Sequence, residues 1–313
     1  MSETAVLLCG HGSRDPEAVI EFEAAAAALR ARLAGLAPGG PGSDFATGYL
    51  EFARPTIGEA LAALKAQGAR RILAIPGMLF AGSHVKNDLP WEMNSFMADN
   101  PGVEVRLGRD LGIDPKLLAA AAARIEAAVP EGRSETLLVV VGRGTNDPDA
   151  NSNIAKLARM LWEGMGFGWA EAAFSGVADP RVDAALERSA RLGFRRIVVF
   201  PYFLFTGVLV KRIYAQTDMV AARFPEIEFV KAGHLRDHEG VIGAFVDRAL
   251  EFAGGDPAMN CQLCKYRTRI IGYEDAVGAP QQGHHHHVRG AGVGNHDHHH
   301  HDEAGHGHSH RHD

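Results

Sequence analysis

The chain has 313 residues, 46% of them apolar, and a formal net charge of −6, which provides for a sizeable core, suggests two domains by length, and disfavours a nucleic-acid partner. No stretch reaches the roughly 18 uninterrupted apolar residues that a membrane span needs, and the start "MSETAVLL" lacks the basic residues and small-residue cleavage site of a signal peptide, so a cytoplasmic protein that does not contact membranes is expected. Three cysteines, Cys9, Cys261 and Cys264, are too few for a disulfide framework.

In chain order, "AVLLC" (5–9) reads as a buried strand that feeds the turn "GHGSRDPEA" (10–18). There Asp15 has the position of an N-cap and Pro16 that of the first helical residue. A strand "FATGYL" runs up to Glu51, an apolar-periodic helix covers 54–68, and the strand "RRILAIP" leads into a loop, "GMLFAGSH", that carries His84. A helix, the strand "VEVRLG" (103–108) and a closing helix follow. The pattern then begins again. "TLLVVV" (136–141) feeds "GRGTNDPDA" (142–150), and "GARRILAIPGMLFAGSHVK" (68–86) aligns with "GFRRIVVFPYFLFTGVLVK" (193–211) at an offset of 125. Strand–helix alternation of this kind implies a parallel sheet covered on both faces. The expectation is an α/β protein with two similar doubly wound parallel-sheet domains, 1–132 and 133–255, produced by internal duplication.

Neither turn binds nucleotide by a known fingerprint, since the third glycine of a dinucleotide motif and the G-K-[ST] of a P-loop are both missing. A capped turn explains the glycines, Asp15 and Pro16, but it leaves His11 unexplained. In an open parallel sheet, ligands gather at the carboxyl ends of strands, where His11, Glu51 and His84 all fall. Their counterparts in the second half are Arg143, Gly176 and Leu209, so the fold does not need the imidazoles. Two imidazoles and a carboxylate suit a divalent metal, and an imidazole that is not a ligand accepts protons near neutral pH. A hydrolase would need a nucleophile elbow, which is absent; Ser13 is placed to hydrogen-bond its own turn.

After residue 255 the composition changes. "MNCQLCKYR" (259–267) puts Cys261 and Cys264 one turn apart, suited to a soft metal, an iron–sulfur cluster or thiol redox chemistry. Of the 17 histidines, 13 lie between His284 and His312, including the runs His284, His285, His286, His287 and His298, His299, His300, His301. Such a tail, within 256–313, buries no core, is expected to be disordered, and offers many shallow sites for Co2+, Ni2+ or Zn2+.

"LLCGHGSRDP", "GYLEFARPTI", "IPGMLFAGSHVKNDLP" and "MNCQLCKYRTRIIGYEDAVGAPQQGHHHHVRG" together resemble the long form of the CbiX sirohydrochlorin cobaltochelatases, class II chelatases of cobalamin biosynthesis. The resemblance covers essentially the whole chain. It implies an enzyme that inserts a divalent ion, here Co2+, into the tetrapyrrole sirohydrochlorin with release of two protons. By motif the catalytic histidines fall on His11 and His84, acting as metal ligand and proton acceptor, and Glu51 matches a carboxylate that assists metal binding. Sirohydrochlorin carries many carboxylates, so Arg14, Arg54, Lys86, Arg143 and Lys211 become candidates to orient it. The long members use an M-x-C-x-x-C motif for an iron–sulfur cluster. With only Cys261 and Cys264 here, the cluster would need tail histidines or a second copy of the chain, giving a homodimer through the joint. A ferrochelatase serving sirohaem and a non-catalytic cobalt or nickel store are the alternative readings.

Overall fold

The computed structural model describes residues 4–36, 44–254, 266 and 274–278. Strand β1 (Thr4–Gly10) is apolar and almost wholly buried, as a central parallel strand must be. Around it stand β2 (Phe45–Tyr49), β3 (Arg71–Pro76) and β4 (Glu104–Leu107), in the parallel order β2-β1-β3-β4. The second half repeats this with β5 (Thr136–Gly142), β6 (Trp169–Phe174), β7 (Arg196–Pro201) and β8 (Glu228–Lys231), in the order β6-β5-β7-β8. The α/β architecture with two equivalent parallel sheets therefore stands as expected.

Several helices start where the sequence supplies caps. Helix α1 (Pro16–Leu36) follows Asp15, whose carboxylate accepts from the Glu17 amide. Helix α2 (Ile57–Ala66) carries a capping box between Thr56 and Glu59. Helices α3 (Leu89–Asp99) and α4 (Pro115–Ala128) complete the first half. In the second half, α5 (Pro148–Met165) is capped by Asp147, which accepts from the amides of Asp149 and Ala150. Helices α6 (Val182–Ser189), α7 (Val208–Ala221) and α8 (Glu239–Gly254) follow. No described helix is long and apolar enough to cross a membrane.

Strand alternation divides the core into three. Outward side chains of β1 and β3, such as Leu7 and Ile72, pack with α2 and α3; those of β5 and β7, such as Val139 and Ile197, pack with α6 and α7. The inward residues Val6, Leu8, Leu138 and Val140 share one continuous core with α1, α4, α5 and α8. Within that shared layer the closing helices cross over: α4 packs against β7, and α8 packs against β3, α1 and α4. Arg248 of α8, 3% exposed, donates to the Asp110 and Leu111 carbonyls at 3.0 and 2.6 Å and pairs with Asp114 at 3.3 Å. The division at residue 132 separates the sheets, but the helices do not respect it.

Candidate active site

The first strand-to-helix turn is shaped by Gly12, whose φ of 86° favours glycine. A Cβ there would lie 1.7 Å from the Glu51 carbonyl oxygen, so only a glycine lets the turn pressed against the end of β2 close. The Glu51 amide donates to the His11 carbonyl at 3.0 Å, which fixes the two residues on one rim. Ser13 accepts from the Asp15 amide at 3.0 Å, the turn-forming role its position suggested. Gly144 repeats the arrangement at φ 83°, where an added Cβ would lie 1.8 Å from the Gly176 carbonyl oxygen.

His84 arrives from β3 and opens a five-residue π-helical turn, His84–Asp88, in which the Leu89 amide donates to the His84 carbonyl. It brings the two imidazoles together, with Nε2 of His11 and Nε2 of His84 3.2 Å apart and the rings edge to face. Two nitrogens about 2.0–2.1 Å from one ion at tetrahedral angles would be separated by ~3.3 Å, so this spacing suits a shared cation. The partners of each ring set its protons. His11 Nδ1 lies 2.9 Å from the Gly12 carbonyl, which only accepts, and its Nε2 lies 3.4 Å from an Arg143 nitrogen, which only donates. His11 therefore carries its proton on Nδ1 and a lone pair on Nε2. His84 Nδ1 donates to the buried Asp88 carboxylate at 2.6 Å, which in the neutral ring leaves the Nε2 lone pair facing the first.

Arg143, the counterpart of His11 in the second half, thus reaches the same point as His11. The residue as a whole is exposed, yet enough protein lies around its guanidinium that desolvation lowers its pKa, with the Glu51 carboxylate working against that. Glu51 itself is 5% exposed. Among the described residues no three His, Cys, Asp or Glu side chains are grouped to hold a metal, so in this geometry Glu51 does not join the two imidazoles as the third ligand expected from the sequence.

Of the cations expected at the rim, Lys86 is elsewhere. Its side chain is 1% exposed and its ammonium is paired with Asp147 at 2.9 Å and Asp149 at 3.0 Å, joining the two halves. Its repeat partner Lys211 makes the reciprocal pairs, 2.8 Å to both Asp15 and Glu17, with half its side chain exposed. Arg14 lies over the Phe52 ring at 4.9 Å, and Arg54 bonds Glu59 at 2.5 Å; both are exposed. Phe52 holds a left-handed φ of 59° beside His11, and its repeat partner Val177 holds 62°. Ser83 donates to the Asn146 side chain at 3.2 Å, a further bridge between the two signature loops. A surface groove along α1, β2 and α2, lined by Arg30, Thr47 and Glu59, contains neither histidine.

Cys261, Cys264 and the tail histidines His284 to His287 and His298 to His301 lie outside the described residues. Sequence reasoning missed Asp88. The available signal was the repeat itself, in which Asp88 stands opposite Ile213, a carboxylate facing an apolar position.

The chain is similar to known proteins. The sirohydrochlorin cobaltochelatase of Priestia megaterium is 33% identical over 281 residues, covering 87% of each chain. A sirohydrochlorin ferrochelatase of the same organism is 28% identical over 193 residues, 62% of this chain and 72% of that one. The solved structure of SirB from Bacillus subtilis with Fe3+ superposes with a TM-score of 0.70 at 26% identity, covering 82% of this chain and 99% of the other. The model of the CbiX family matches residues 5–128 and 137–252, one segment for each half, and the chain belongs to that family.

Proposed function

We propose that the protein is a cytoplasmic sirohydrochlorin chelatase that inserts Co2+ to give cobalt-sirohydrochlorin for cobalamin biosynthesis. The observation that carries this reading is the convergence of two Nε2 nitrogens, 3.2 Å apart, on one wall between the halves. Cobalt is favoured because the cobaltochelatase relative is the more similar of the two Priestia proteins and is matched over more of its length.

The ion is a substrate. His11 and His84 receive it through nitrogens whose opposite sides are already tied, so the rings lose little freedom on binding. Arg14, Arg54, Arg143 and Lys211 are the cations left to hold the substrate's carboxylates, with Arg143 nearest the imidazoles. Transfer of the ion to the macrocycle exchanges two pyrrole N–H bonds for bonds from nitrogen to metal. The imidazoles it leaves regain two lone pairs, enough to take both protons and pass them to water. The histidine-rich tail is proposed to gather metal, and Cys261 and Cys264 to hold an iron–sulfur cluster or another soft metal.

Purified protein mixed with sirohydrochlorin and Co2+ should show catalysed metallation by absorbance. His11→Ala and His84→Ala should each lower the rate at least ~100-fold, within the range attributed to a positioned acid–base group, with the melting temperature little changed. No catalysed insertion by folded protein would reject the enzyme in favour of a metal store, and wild-type rates in both variants would move the chemistry elsewhere. A higher kcat/KM with Fe2+ under anaerobic conditions would make it a ferrochelatase.

A further inference from the structure

Asp88 has a role that the reaction described above leaves unused. It is 1% exposed, and a buried carboxylate costs several kcal/mol unless it is bonded. Both of its oxygens are engaged: Oδ2 accepts from His84 Nδ1 at 2.6 Å and Oδ1 accepts from the Asn87 side-chain Nδ2 at 3.1 Å. The second half shows that the fold has no need of this group. There the equivalent residues are Leu209 and Ile213, and Ile213 is fully buried in an apolar cluster. In place of the π-helical turn, α7 runs on from Val208 as a regular helix. The histidine, its carboxylate and the turn that joins them thus occur together in one half and are missing together from the other.

We propose that Asp88 is a positioning residue that locks His84 in its Nδ1–H form, so that the Nε2 lone pair meets that of His11. The Gly12 carbonyl does the same for His11, at 2.9 Å from Nδ1. Without Asp88 the His84 ring is free to carry its proton on Nε2, which places an N–H where a lone pair is needed and points a donor at the incoming ion. Its carboxylate also makes the imidazole a stronger ligand, an effect of outer partners that is worth about 10–100-fold in metal affinity. The proposal rests on the reading that His84 binds the substrate metal.

The test uses the full chain with Asp88→Ile, which copies the residue at the equivalent position of the second half, and Asp88→Asn, which keeps an oxygen acceptor without the charge. Two quantities are measured beside a thermal melt: the KM for Co2+ in the insertion assay, and the His84 tautomer from the 15N shifts of its ring, assigned by their loss in His84→Ala. Asp88→Ile should raise the KM about 10–100-fold and convert His84 from Nδ1–H to a mixture of tautomers. Asp88→Asn should show a smaller rise with the tautomer kept, and it carries the KM test alone if the isoleucine variant does not fold. A wild-type KM in Asp88→Ile, or a raised KM with His84 still wholly Nδ1–H, would overturn the proposal. His84→Ala separates this from the underlying reading. If that variant keeps the wild-type KM, the metal site falls and the proposal with it; if it is inactive while Asp88→Ile behaves as wild type, Asp88 alone is wrongly assigned.

Discussion

His11 and Arg143 occupy the same place in two copies of one turn, and their side chains end 3.4 Å apart. Duplication therefore put two versions of one position at a single point, where one could bind a cation and the other an anion. Nearby, Asp110 anchors the loop that carries His84: its carboxylate accepts from the Ala81 amide at 3.1 Å. Burial raises its pKa to about 6, against the opposing pull of that hydrogen bond and of Arg109 and Arg248. An acid raised in this way favours the folded state fully below its unfolded value near 4, and the benefit is lost as the pH climbs through about 6. At pH 8 the ionised group thus costs up to about 3 kcal/mol relative to its protonated form. Asp110→Asn, whose amide oxygen can still accept from Ala81, should be more stable than wild type at pH 8 and should flatten the fall between pH 4 and 7. Urea unfolding across that range checks it, and an unchanged pH profile would show that Asp110 does not titrate there.

At the scale of elements, most of the framework was readable because its signals are local. A continuous apolar run set β3, Asp15 and Pro16 set the start of α1, and the offset of 125 paired the loops. What stayed hidden depends on contacts between elements distant in the chain. Lys86 and Lys211 are indistinguishable in the aligned motifs, yet one is sealed between the halves and the other is half exposed. The π-helical turn has no periodicity of its own, and the crossing of α4 and α8 leaves no trace in either helix's pattern. The site was legible as two histidines at strand ends because the second half lacks both; their tautomers followed only from the carbonyl, carboxylate and guanidinium beside them. The turns carry their own prediction. Gly12→Ala and Gly144→Ala should each destabilise the fold by more than ~2 kcal/mol, since both meet a carbonyl oxygen well inside contact distance at positive φ. Chemical denaturation measures this, and a loss confined to Gly12→Ala would mean that the two turns are not equivalent scaffolds.

For the whole molecule, the proposed reading predicts that the body and the tail separate in function. Removal of everything after Val277 leaves both turns, the His pair and α8 in place, so the rate at saturating Co2+ should match that of the full chain. The truncated form should bind several fewer Co2+ ions in equilibrium dialysis and fall behind only when free metal is buffered low, because tethered metal-binding groups act through local concentration. Turnover that collapses even at saturating metal, with an unchanged melt, would put the tail in the active site. Cys261→Ser in the same assay should leave the rate intact, whereas iron and sulfide analysis of anaerobically prepared protein decides whether the Cys pair holds a cluster.

The exchange of α4 and α8 bears on the order in which the molecule is made. Helix α8 covers part of the first sheet, but it is translated roughly a hundred residues after α4. At about 5–20 residues per second that delay is on the order of 5–20 s. During it the inward side of β3 and the binding place for Arg248 beside Asp114 wait on the ribosome without their partner, and α4 has no β7 to lie against. The first half is therefore born unfinished. A chain cut short between residues 132 and 239 has its core laid open, so α8, from the second half, completes the sheet that was made first.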